Sequence, residues 1–288
     1  MTADFADLVA PRRRWLDALR IALPRDRYFA GLYLIGCVNG LVGRMIYTFN
    51  LEGWTGAVMG IDINVIVFFA CFAGIAALLE ERQDEIRPAD FVVGLVFLVL
   101  VSLPSFPVSW VAVTGLSLYL LLFAGDQQHP DRRRGAIILL AVCVPLLWSK
   151  LVFQFFAPLL LELDARFVEV LLGTELVGNM LRFADDSGYM VITPACTSFG
   201  NISLAFLCWV TITQWAKHRW APMDLVWSSL ACASVVAVNV TRIALTGLSR
   251  GNYEAIHNET GEMVGGLVML ALMVGFSVFG ARRELFRA

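Results

Sequence analysis

The stretch Arg132-Arg133-Arg134-Gly135-Ala136-Ile137-Ile138-Leu139-Leu140-Ala141-Val142-Cys143-Val144-Pro145-Leu146-Leu147-Trp148 decides the fold class. Three cations are followed at once by an apolar block that continues to about residue 155. A helix needs about 20 such residues to cross the roughly 30 Å hydrocarbon core of a bilayer. Comparable blocks lie on either side, which places membrane spans at 28–48, 56–79, 91–105, 108–124, 135–155, 197–215, 223–247 and 262–280. The blocks are continuous, where a soluble helix would show an apolar stripe. Composition agrees: of 288 residues 58% are hydrophobic and 16% charged, against about 25% charged in a soluble domain. The mean hydropathy is +0.71. The reading is an all-α integral membrane protein of about eight transmembrane helices, forming one polytopic domain over residues 1–288 whose first partner is the lipid bilayer. The net charge of −2 says little by itself, and no nucleic-acid partner is expected.

Lysine and arginine set the orientation, because cytoplasmic loops retain them. With the N-terminus inside, sixteen of the 22 fall in inner segments and three, Arg166, Arg182 and Arg250, in outer ones; Arg44, Lys150 and Arg242 lie within spans. Both termini are therefore expected in the cytoplasm, residues 1–27 as a cytoplasmic segment, in a plasma (inner) membrane. Arg12 to Arg14 resemble the start of a signal peptide, but the next apolar block is of full span length, so no cleavage is expected. Pro104 and Pro107 make a tight hairpin between the third and fourth spans the natural reading, with one broken or re-entrant element over 91–124 as the alternative. The longest outer segment is 156–196. Within it, 164–183 has weak helical patterning, Asp185-Asp186-Ser187-Gly188 reads as a turn, and Tyr189 to Thr193 as a short strand.

Charges within spans are costly and need a reason. Arg44, Asp62, Lys150 and Arg242 all fall in the outer halves of their spans. Snorkelling, or a pair such as Arg44 with Asp62, is the plain explanation; their shared depth points instead to a polar, outward-open cavity. Of six cysteines, Cys37, Cys71, Cys143, Cys208 and Cys232 sit inside apolar blocks as small buried side chains. Cys196 differs, standing at the outer mouth of the sixth span in Pro194-Ala195-Cys196-Thr197-Ser198-Phe199-Gly200. Arg242 lies near the outer end of the seventh span, in Asn239-Val240-Thr241-Arg242-Ile243, and His257 in the loop before the eighth.

Cysteine, arginine and histidine at one membrane depth suit nucleophilic chemistry. The thiolate is the nucleophile, and cationic neighbours populate it. A histidine can protonate a departing amine. A permanently charged arginine can hold an oxyanion. Asn239, one helical turn before Arg242, is placed to brace that arginine or a substrate. Thr197, Ser198, Arg250, Lys150, Arg44 and Asp62 are further candidates for supporting or substrate-binding roles. Taken singly, each of these residues is more simply a structural or snorkelling group; the argument lies in the combination.

Here the sequence resembles the exosortase and archaeosortase family of membrane transpeptidases. The likeness covers roughly residues 184–275: a strand-like approach into Ala195-Cys196, then Asn-x-x-Arg-Ile at 239–243, then His257 ahead of a last span. The resemblance implies a nucleophile at Cys196, a catalytic arginine at Arg242 and a catalytic histidine at His257. It also implies substrates: secreted proteins ending in a short motif, an apolar helix and a basic tail. Many family members read Cys-Ser-Gly, whereas here Thr197 and Ser198 follow and glycine waits until Gly200. Some relatives have arginine in place of the histidine. Arg250 is available, but His257 is preferred.

The resulting expectation is a cysteine transpeptidase or protease that works through a thioester at the extracytoplasmic face and needs no metal or organic cofactor. A transporter, or a lipid or glycan transferase with an outward-facing cavity, is the alternative. A transporter usually keeps its charges near the midplane between repeats, and no repeat is visible. A transferase would rest on outer carboxylates, for which Asp185 and Asp186 are weak candidates.

Overall fold

A computed structural model describes residues 24–59, 64–80, 84–123 and 130–285. The chain is predominantly α-helical and divides into two compact units, 1–140 and 141–288. Among the described residues, four helical stretches are long and apolar enough to cross a membrane: Arg25–Leu51, Pro130–Leu172, Met223–Thr246 and Thr260–Arg282. Three more apolar helices are shorter: Val65–Leu78, Pro88–Val101 and Phe106–Leu122.

The first unit contains α1 (Arg25–Met59), α2 (Val65–Leu78), α3 (Pro88–Val101) and α4 (Phe106–Leu122). The prolines act as read from sequence: α3 ends at Val101 and α4 starts at Phe106, and the two helices pack on each other as a hairpin. The second expected span is corrected. Residues 56–59 continue α1, and α2 begins only at Val65, where the Asn64 side chain caps the helix by accepting from Ile66 N–H. Asp62 lies outside the described residues, so its pairing with Arg44 does too. Gly36 and Gly40, one turn apart, let α1 approach α3 and α4 closely. A Cβ at Gly40 would stand 2.6 Å from the Trp110 ring, and one at Gly36 2.7 Å from Phe97. Arg25 and Asp90, both fully buried, make two hydrogen bonds of 2.7 and 2.9 Å, and Tyr119 donates to the same carboxylate.

The second unit carries the candidate site. α5 (Pro130–Cys143) begins in the first unit and runs through a π-helical turn (Val144–Trp148) into α6 (Ser149–Leu172). The fifth span was expected to end near 155. Instead the helix bends at Phe156 (φ −117°, ψ 15°), where Pro158 removes an N–H from the ladder, and continues to Leu172. It stops at Gly173, whose positive φ of 66° lets its N–H cap the Glu169 carbonyl. The helix weakly read over 164–183 is thus corrected: its second half is a sheet.

That sheet has the order β1-β2-β3, antiparallel throughout: β1 (Leu176–Val177), β2 (Met180–Arg182) and β3 (Tyr189–Val191). Gly178-Asn179 forms the two-residue turn between β1 and β2, with Gly178 at φ 65°. The turn expected at 185–188 joins β2 to β3. Hydrogen bonds from the Ser187 side chain and backbone hold the Asp185 carboxyl below its ordinary range. After a 3-10 turn at Pro194–Cys196 come α7 (Ser198–Trp215), α8 (Met223–Thr246), α9 (Arg250–Ile256) and α10 (Glu259–Leu285).

The sheet lies over a core assembled from three periodicities. Leu161, Ala165, Val168 and Leu172 form one face of α6; Leu181, Phe183, Met190 and Ile192 alternate along the strands; Val236, Val240, Ile243 and Ala244 line α8. Burying a side chain such as Leu181 or Ile192, which are 0% and 1% exposed, contributes roughly 1.5–3 kcal/mol each. Gly247 closes the arrangement. A Cβ there would meet Leu172 at 2.5 Å and Met190 at 3.0 Å, and its carbonyl accepts from Ala184 N–H at 2.9 Å. The missing side chain lets Met190 of β3 approach, and the hydrogen bond ties the chain just after β2 to the end of α8.

Candidate functional site

Cys196, Arg242 and His257 line one cavity of about 130 Å³. Three sequence-distant elements meet there: the turn before α7, the last turns of α8 and the C-cap of α9. Met190, Ile192 and Ile243 form an apolar wall; Thr193, Tyr253 and Glu262 complete the polar side.

Cys196 is half-buried. Its Sγ is 3.4 Å from Thr193 Oγ1, and its backbone N–H donates to the Thr193 carbonyl at 2.9 Å. A threonine hydroxyl at this distance can donate to a thiolate. The turn is held from both sides. Asn239, 1% exposed on α8, donates through Nδ2 to the Cys196 carbonyl at 2.7 Å and to Ser198 Oγ at 3.0 Å. Asp164, 5% exposed on α6, accepts from Ser198 N–H at 2.8 Å and from Thr197 Oγ1 at 2.9 Å. Thr197 is the N-cap of α7, accepting from Phe199 N–H. Thr197 and Ser198 thus anchor the turn that carries Cys196 and are not among the residues lining the cavity. Asn239 braces the cysteine, where sequence offered the arginine or a substrate.

Arg242 is half-buried and, among the described residues, has no hydrogen-bond or ion-pair partner. A Cβ added at Gly265 of α10 would sit 3.4 Å from Arg242 Cδ, an ordinary contact, so the Arg242 side chain runs directly past this glycine. The guanidinium is available to a ligand in the cavity.

His257 stacks on Tyr253, four residues earlier, with ring centroids 4.2 Å apart and planes 16° from parallel. Tyr253 in turn meets Phe183 edge-on at 6.4 Å. The aromatic stack therefore fixes the imidazole plane. Its Nδ1 is buried with no hydrogen-bond partner within the described residues.

Other expected site residues lie elsewhere. Arg250 is exposed at the start of α9, 3.8 Å from Glu254, and does not line this cavity. Lys150 is exposed at the start of α6 and is also absent from its lining. Lys150 and Arg242 therefore do not share this cavity. Arg44 is half-buried on α1 in the first unit. Asp164, Tyr253, Thr193 and Glu262 were missed. A lone acid in an otherwise apolar helix face was the available signal for Asp164, and the i,i+4 spacing to His257 for Tyr253.

No protein-family model, curated protein or solved structure matches this chain.

Proposed function

We propose that this chain is a membrane-embedded cysteine transpeptidase or protease resembling the exosortases and archaeosortases. One observation carries the reading: Cys196, Arg242 and His257, the three residues singled out by chemistry, line a single cavity.

The Cys196 thiolate attacks a substrate backbone carbonyl, forming a C–S bond and placing negative charge on the carbonyl oxygen. The Arg242 guanidinium, which has no partner among the described residues, holds that oxyanion. The C–N bond then breaks, and His257 gives the leaving amine its proton. The thioester is resolved when water or an acceptor nucleophile attacks, loses its proton to His257 and expels the thiolate. Thr193 supports the thiolate through its hydroxyl, while Asn239 and Asp164 hold the turn on which the sulfur sits.

The membrane arrangement belongs to the same proposal. Eight helical passes, from α1, α2, α3, α4, the α5–α6 run, α7, α8 and α10, put both termini on one side. Sixteen of the 22 lysines and arginines then face the cytoplasm. The sheet, α9 and the cavity lie at the extracytoplasmic surface of a plasma membrane. Substrates are secreted proteins with a C-terminal motif, an apolar helix that lies beside the spans, and a basic tail that stays inside.

The test is co-expression with secreted proteins of that pattern encoded in the same genome. Loss of the C-terminal helix, read as a mass shift, is expected with the wild type and absent with Cys196→Ala. A thioester released by hydroxylamine identifies the intermediate. Wild-type processing by Cys196→Ala would remove the proposal.

A further inference from the structure

We propose that the outer edge of β3 binds the acyl side of the substrate as an added, parallel β-strand. This rests on the peptide-cleaving reading above and specifies how that peptide is held.

β3 is an edge strand of the three-stranded sheet. Its pairing with β2 determines which backbone groups point where. Ile192 N–H donates to the Asn179 carbonyl at 2.9 Å, and Phe183 N–H to the Gly188 carbonyl at 3.0 Å. The register pairs Leu181 with Met190. Residues 188, 190 and 192 therefore direct their backbone groups towards β2. Successive residues alternate, so those of Tyr189, Val191 and Thr193 point away from the sheet. The Thr193 carbonyl is taken by Cys196 N–H. The N–H and C=O of Tyr189 and Val191, and the N–H of Thr193, remain without a backbone partner among the described residues. These groups form a row with a repeat of about 7 Å, the two-residue spacing of an extended chain.

That row ends at the cavity. Val191, Thr193 and Cys196 all line it, as do Arg242 and His257. An extended peptide that satisfied the row would bring a carbonyl to the sulfur without any further turn. Direction follows from the order of the chain. The nucleophile stands after the C-terminal end of β3, and the acyl portion of a peptide precedes its scissile carbonyl. A peptide lying on β3 with that carbonyl at Cys196 must therefore run the same way as β3.

The chemistry of such a ligand is defined. Affinity comes from main-chain hydrogen bonds, so the segment must be extended and locally unfolded, without a proline at the amides that face β3. Specificity falls to side chains that alternate along the added strand. The cavity's apolar wall of Met190, Ile192 and Ile243 suits one apolar side chain. Its volume of about 130 Å³ exceeds that of a single water, whose share of the liquid is about 30 Å³.

The full-length wild-type protein in lipid nanodiscs is treated with a library of tetrapeptidyl chloromethyl ketones. Alkylation of Cys196 is followed by peptide mapping and compared with iodoacetamide, each rate normalised to that on free cysteine. The best peptidyl reagents should label Cys196 faster than iodoacetamide by about tenfold or more. N-methylation of the amides that face β3 should reduce that advantage about tenfold, and N-methylation of the intervening amide should leave it intact. Peptidyl acceleration that is insensitive to N-methylation, or equally sensitive at every amide, overturns strand addition and leaves the peptide-cleaving reading standing. No acceleration by any peptidyl reagent overturns both.

Discussion

The side-chain amide of Asn239, buried on α8, donates a 2.7 Å hydrogen bond to the backbone carbonyl of Cys196, 43 residues earlier in the chain. The Cys196 turn is thereby tied to the helix that carries Arg242. Asn239→Ala leaves that carbonyl and the Ser198 hydroxyl unsatisfied, at a cost of about 1–3 kcal/mol. Asn239→Asp should be worse, because a carboxylate cannot donate and would face the carbonyl oxygen. Thermal unfolding in detergent micelles should rank the melting temperatures wild type, Ala, Asp in descending order, with processing falling in parallel. An aspartate variant as stable as the wild type would contradict this.

Asp164 separates charge from hydrogen bonding. Asp164→Asn keeps one acceptor oxygen for Ser198 N–H, whereas Asp164→Ala leaves that N–H unpaired at the start of α7. The alanine variant should lose about 1–3 kcal/mol of stability and the asparagine variant less than half of that. Urea titration of the two purified proteins measures the difference.

Gly265 should tolerate one carbon and little more. A Cβ there stands 3.4 Å from Arg242 Cδ, an ordinary contact. Gly265→Ala is expected to retain at least about half of wild-type processing. Gly265→Leu, which pushes the guanidinium out of position, should lose about a hundredfold, the order lost with one oxyanion donor. Equal activity of the two would show that Arg242 does not need its present place.

Among the cysteines, only Cys196 should matter for chemistry. Cys196→Ser should be nearly inactive, since an alcohol is far less acidic than a thiol and His257, whose Nδ1 has no hydrogen-bond partner among the described residues, lacks the acceptor that orients a serine-activating imidazole. Changing Cys37, Cys71, Cys143, Cys208 and Cys232 together to alanine should leave measurable processing, with a lower melting temperature because four of them are buried. The mass-shift assay reads the first effect and thermal unfolding the second.

Sidedness is checked by single cysteines introduced in a Cys-free background. Position 185, exposed in the turn before β3, should react with an impermeant thiol reagent in intact cells, and position 129 only after the membrane is opened. The reverse pattern would invert the proposed topology.

The sequence by itself determined the helical, apolar character of the chain, the helical hairpin at Pro104 and Pro107, the turn at 185–188 and the strand leading to Cys196. Each depends on local properties: the length of an apolar block, a missing N–H, a preference for positive φ. The β1–β2 hairpin was also written locally, in Gly178-Asn179, but the apolar residues around it fit a helix about as well. The extension of α6 past Phe156 was hidden for the opposite reason, since a proline marks a bend or an end without saying which. Only the tertiary structure decided that His257 and not Arg250 lines the cavity with Cys196, that Lys150 stands outside its lining, and that Asp164 and Asn239 hold the Cys196 turn. Those relationships span 34 residues from Asp164 to Ser198 and 43 from Cys196 to Asn239. A hydrogen bond is directional to within a few tenths of an ångström, and only packing of distant helices sets such distances.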